Sequence, residues 1–135
     1  MPAAKLAAVY GSMALCFLVV DLLWLGIIAK DFYQRQLSHF MADQVYWPAA
    51  LMFYLIYIAG ILVFAVLPAH AAQDLPRALL LGVLLGFFAY ATYDLTNWAT
   101  LKNWPPAMVV VDLIWGTFLT GLTAGVGFVV AQRWP

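Results

Sequence analysis

Four long apolar runs, separated by short polar or proline-bearing links, set the pattern of this chain. They cover about residues 6–29, 46–67, 78–101 and 105–131. Each is as long as the roughly 20 residues a helix needs to cross hydrocarbon, so each predicts a transmembrane helix. Residues 30–46, KDFYQRQLSHFMADQVY, form the one mixed stretch. Phe32, Leu37, Phe40 and Met41 can share one helical face there, with Arg35, Gln36, Ser38 and Asp43 elsewhere, which predicts a short interfacial helix. Pro48 suits the first turn of the second helix. Pro68 is expected to end that helix, and PAHAAQDLPR reads as a short loop. Pro105 and Pro106 part the third helix from the fourth. The fold class expected is all-α. It is an integral membrane four-helix transmembrane bundle, one domain over 1–135, with a short interfacial helix between helices 1 and 2. The first run is too long for a signal-peptide core and carries Asp21, so it is expected to be a retained helix.

Composition sharpens this picture. Of 135 residues, 67% are hydrophobic and 9% charged, and the mean hydropathy is +0.95. A soluble domain is about half apolar and about a quarter charged. The formal net charge is zero, which argues against a nucleic-acid surface. All six acids are Asp. Three of them, Asp21, Asp94 and Asp112, fall inside apolar runs, where a merely solvating charge would not be placed. The single cysteine, Cys16, has no intrachain partner and reads as a small buried hydrophobe.

The stretch GFFAYATYDLTNWATLK, residues 86–102, concentrates the chemistry. Gly82, Gly86, Tyr90, Asp94 and Trp98 form one i, i+4 column, with Asn97 beside it. The glycines let another helix come close to a carboxylate that is costly in hydrocarbon and therefore marks a site. Four alternating spans put Asp21 and Asp94 late in helices 1 and 3, and Tyr54 and Asp112 early in helices 2 and 4. All four then lie toward one leaflet, about two turns below its surface. Each Asp has an indole at helical spacing: Trp24, Trp98 and Trp115. Three carboxylates at one depth in a low dielectric cannot all be ionised without cations, so at least one is expected to hold a proton. The alternative is structural: each Asp hydrogen-bonds a neighbouring helix and serves as glue. Trp47, Trp104 and Trp134 fit an interfacial belt. The carboxylates, Asn97 and the tyrosines form at most a weak site for a hard cation such as Mg²⁺ or Ca²⁺. His39 and His70 fall in links on opposite sides and cannot join in one zinc site, and no metal or other cofactor is expected. No hydrolase elbow, phosphate loop or dinucleotide fingerprint occurs.

The chain also repeats itself. VVDLLW at residues 19–24 recurs as VVDLIW at 110–115. WPAALMFYLIY at 47–57 matches WPPAMVVVDLIW at 104–115 with one gap, which pairs Tyr54 with Asp112. Asp21 then pairs with Asp94. A duplicated helix pair is expected, with a site at the repeat interface. The cationic side chains Lys5, Arg77 and Arg133 flank one side and Lys30, Arg35 and Lys102 the other. With the N-terminal amine added to the first set, this leans toward both termini being cytoplasmic.

On LPRALLLGVLLGFFAYATYDLTNWATLKNWP (Leu75 to Pro105), VVDLIWGT, DLLWLG and FYQRQL, the chain resembles a family of small bacterial membrane proteins. That family is catalogued as a domain of unknown function, type 2177. The resemblance implies a four-helix protein of the bacterial inner membrane and carries no activity with it.

The residues support a small polytopic membrane protein with an intramembrane Asp/Trp/Tyr site. Asp21, Asp94, Asp112, Tyr54, Tyr90, Asn97, Trp24, Trp98 and Trp115 are the candidate ligand-binding or proton-coupling residues. Binding or transport of a small amphipathic or cationic molecule with proton coupling is the leading expectation. The alternatives are a lipid-modifying enzyme using an Asp pair as acid and base, and a structural membrane subunit. Membrane lipids and a small-molecule or lipid ligand are the expected partners. A homodimer is expected from the close-packing faces at Gly82, Gly86, Gly121, Gly125 and Gly127.

Overall fold

The computed structural model describes every residue from Met1 to Pro135. Its four long apolar helices are span 1 (Ala3–Ile28), span 2 (Trp47–Ala72), span 3 (Leu75–Thr100) and span 4 (Pro106–Arg133). A linker helix, Lys30–Leu37, follows span 1. The all-helical four-span bundle expected from the apolar runs is the fold found.

Span 4 is the central and most deeply buried helix, and its largest interface is with span 3. The cause is side-chain size. A Cβ added at Gly86 would lie 2.5 Å from the Gly116 carbonyl oxygen, and one at Gly82 would lie 2.6 Å from the Ala124 Cβ. The two backbones are thus in contact, as small residues permit in a medium where lipid competes for apolar surface. On the other side of span 4, Val9, Met13 and Phe17 of span 1 recur every four residues and are fully buried. They pack with Ile58, Ile61 and Val66 of span 2 and Leu119 of span 4. Leu55, Ile56, Phe64, Phe88, Ile114 and Phe118 are exposed on the outer surface, where acyl chains would cover them.

Pro68 does not end the second helix, which runs on to Ala72. A π-helical stretch, Leu62–Val66, comes just before it. Proline lacks an N–H and crowds the carbonyl four residues back, and the wider π turn gives that carbonyl room. The helix stops at Gln73, whose φ is 55°. Asp74 then caps span 3, its Oδ1 accepting the Arg77 N–H at 3.1 Å. The expected loop therefore shrinks to a two-residue turn, and span 3 begins at Leu75 with Pro76 in its first turn.

A second π turn, Trp24–Ile28, closes span 1. Ala29, at φ −108° and ψ 10°, breaks the helix and turns the linker helix across the bundle end. The linker buries Tyr33 against Trp104, Met108 and Val109, with Phe32 and Leu37 partly buried beside it. Phe40 and Met41, expected on the same apolar face, are exposed instead because the helix stops at Leu37.

Candidate functional site

The bundle end below the linker helix gathers the intramembrane acids. Asp21 is buried on span 1 just before the π turn. Its Oδ2 accepts the Tyr54 hydroxyl at 2.8 Å and its Oδ1 accepts the Trp115 indole N–H at 3.1 Å. Trp115 stacks on Trp24, with centroids 4.4 Å apart and planes 8° from parallel. The Trp24 indole N–H donates to the Tyr33 hydroxyl at 3.3 Å, and that hydroxyl donates to Asp112 Oδ1 at 2.8 Å. One polar-aromatic chain thus links Tyr54, Asp21, Trp115, Trp24, Tyr33 and Asp112 across spans 1, 2 and 4 and the linker.

The indoles serve the opposite acids from those expected. Spacing put Trp24 with Asp21 and Trp115 with Asp112. Instead, Trp115 binds Asp21 and Trp24 reaches Asp112 through Tyr33. Helical spacing fixes which residues share a face, but the partner lies across an interface between helices. Trp98 leaves the group altogether. It is 48% exposed on the outer surface. Four residues turn a helix by about 400°, so Trp98 sits roughly 40° round from Asp94, toward lipid. Asn97 is half-buried, and its side-chain amide makes no hydrogen bond within the chain, while its main-chain carbonyl accepts the Leu101 N–H.

Asp94 is the exception among the acids. It is 0% exposed, and neither carboxyl oxygen has a hydrogen-bond partner. Buried polar atoms nearly always have one. The carboxyl lies beside that of Asp112 on the neighbouring span. Asp112 is also buried, and only its Oδ1 is engaged by the chain.

In front of Asp112 lies a cavity of about 450 Å³. All four spans contribute walls, including Asp21, Leu25, Phe53, Tyr54, Tyr57, Tyr90, Tyr93, Asp112 and Trp115. The Tyr90 ring covers Gly116, where a Cβ would fall 2.1 Å from the ring. The first half of span 2 leans on span 1, and its π stretch packs on span 3. Spans 2 and 3 therefore part at the level of the cavity, where Phe53 and Tyr93 are about half exposed. The opening is on the flank of the bundle, between spans 2 and 3.

Tyr33 was not among the residues picked out by spacing. The break at Ala29 disconnects its register from that of span 1, so no periodicity relates it to Trp24 or Asp112. Burial, together with the facing Asp112 carboxylate, raises its phenol above the ordinary value, which keeps it a neutral donor. Tyr33→Phe should strand Asp112 Oδ1 and the Trp24 N–H, at a cost of about 1–3 kcal/mol. Amide hydrogen exchange over residues 30–37 should then accelerate, and unchanged exchange would mean that this bond does not hold the linker down. The two histidines serve local roles at opposite ends: His39 Nε2 pairs with the Asn103 carbonyl, and His70 Nδ1 with Gln132 Nε2.

Four spanning helices with carboxylates and aromatic side chains gathered inside one end define a polytopic membrane protein. Its spans meet the length and hydropathy of membrane helices throughout. The chain belongs to the predicted membrane protein family DUF2177, a family of unknown function whose model matches residues 6–129. No curated protein and no solved structure matches it significantly.

Proposed function

We propose that this protein binds a small amphipathic or cationic molecule within the membrane and exchanges a proton for it. The observation that carries the reading is Asp94, a wholly buried carboxyl without a partner, set beside an acid that lines an open cavity. Two adjacent carboxyls in a low dielectric hold one proton between them unless a cation replaces it. A cation reaching Asp112 would release that proton, which is the elementary step of proton-coupled transport. Tyr57, Tyr90 and Trp115 supply aromatic faces suited to an organic cation.

The sideways opening favours a second reading, in which the acid pair serves as general acid and base on a lipid. Conversion of a lipid by the protein in nanodiscs would select that reading. Titration with organic cations in the presence of a pH indicator tests the first. Release of about one proton per bound cation supports exchange, and binding without release rules it out.

The internal pairs fit a duplicated ancestry. Asp21 meets Tyr54 within the first helix pair, and the matching residues Asp94 and Asp112 adjoin within the second. We place the protein in the bacterial inner membrane with both termini cytoplasmic, following the charge balance of its links. Reporters fused after Pro135 and within residues 34–44 should then report opposite compartments. The same compartment for both would contradict the topology.

A further inference from the structure

We infer that the cavity takes a single-chain primary ammonium amphiphile, which enters sideways from the bilayer between spans 2 and 3. This deepens the binding function proposed above and rests on it.

Depth is the first argument. Asp21 and Tyr54 lie seven residues, and Asp94 and Asp112 six, from the near ends of their spans. At 1.5 Å per residue, the acids are roughly 10 Å inside the helix ends. A 26-residue span is about 39 Å long, against a hydrocarbon core of roughly 30 Å. The carboxyls therefore lie only about 5 Å below the hydrocarbon boundary. An amphiphile resting in that leaflet already carries its head near this level, with its tail beneath.

The walls give the second argument. The opening is flanked by Phe53 and Tyr93, and Phe53 stacks on Tyr57 with centroids 5.4 Å apart. These rings, with Leu25, offer apolar contact for an alkyl chain and no charge. A small hydrated cation would gain nothing from such a route.

The donor and acceptor inventory gives the third. Both oxygens of Asp21 are occupied by Tyr54 and Trp115. Asp112 lines the cavity, as does the Tyr90 ring, and its Oδ2 meets nothing but the proton shared with Asp94, which an arriving cation displaces. An acceptor on an acid at the floor of an aromatic cup suits a head that is both charged and an N–H donor. A primary ammonium has three such donors. A quaternary ammonium has none and could use only the rings. A cavity of about 450 Å³ falls within the range of small-ligand sites.

The experiment measures saturable retention of radiolabelled dodecylammonium on nanodiscs carrying the protein, over empty nanodiscs. Dodecyltrimethylammonium and methylammonium serve as competitors. About one dodecylammonium per chain should bind, dodecyltrimethylammonium should compete at least about tenfold more weakly, and methylammonium should not compete. Phe53→Trp, which narrows the opening and touches neither acid, should weaken retention without lowering thermal stability. Equal competition by methylammonium would overturn the tail and the sideways route while leaving the proposed binding function standing. Equal competition by dodecyltrimethylammonium would overturn N–H recognition alone. Failure of every cation to bind would remove the proposed function and this inference with it.

Discussion

Asp94→Asn should fold as well as the parent chain and lose proton exchange completely. No donor group of the fold reaches the carboxyl, so the substitution breaks no hydrogen bond except that of the proton shared with Asp112. The introduced amide is nearly isosteric, uncharged, and a donor to the adjacent Asp112. Stability should change by less than about 1 kcal/mol, whereas breaking a buried ion pair costs about 3–5 kcal/mol. The same substitution at Asp21 should behave differently, because Asp21 accepts from Tyr54 and Trp115. Replacing one acceptor oxygen by an amide leaves one of those donors facing another donor, at about 1–3 kcal/mol. Thermal unfolding of both variants in lipid, beside proton release on cation binding, separates the two roles. A large stability loss at Asp94 with exchange intact would make it glue.

The second large effect is expected where spans 3 and 4 touch. Gly86→Ala places a methyl group 2.5 Å from the Gly116 carbonyl oxygen and 2.7 Å from the Thr120 Cβ. The first neighbour is backbone and cannot rotate away, so the helices must separate. Overpacking of this kind costs about 1–3 kcal/mol, and a larger side chain should cost more. Gly60→Ala is the control, since nothing lies within 4 Å of its added Cβ. There alanine's helix preference should leave stability equal or raise it by up to about 1 kcal/mol. Denaturation midpoints in one detergent check both, and equal midpoints for the two variants would refute the close approach. Gly116→Ala acts on the site as well. Its methyl displaces the Tyr90 ring that now lies over it, and the ring's free direction is into the cavity.

Much of this was legible in the sequence, and physics says which parts. The spans were readable because an apolar run of membrane length has few other stable forms. The depth of Asp21, Asp94, Asp112 and Tyr54 followed from alternating direction alone. Gly82 and Gly86 announced a close helix approach but not its partner: they pack on span 4. Gly121, Gly125 and Gly127 also pack inside the chain, so these five glycines do not supply the faces from which a homodimer was expected. Contacts between helices were not readable, because they depend on how each helix is rotated about its axis. The exchange of indoles between Asp21 and Asp112 is of that kind, and so is the loss of Trp98 to the outer surface. Tyr33 was hidden by the turn at Ala29, which carries it back over Asp112. Pro68 misled because the π turn before it relieves the clash that normally ends a helix. The sideways opening arises because span 2 leans on span 1, which no local pattern encodes.

Proton exchange at this site requires one proton shared between Asp94 and Asp112. Infrared difference spectroscopy in nanodiscs, recorded on addition of dodecylammonium, reads protonated carboxyl groups directly. A protonated-carboxyl band is expected in the free protein and should disappear as the cation binds. That band should be missing from Asp94→Asn and retained in Asp21→Asn. A wild-type spectrum without such a band, or with one that the bound cation leaves unchanged, would contradict proton exchange at this site.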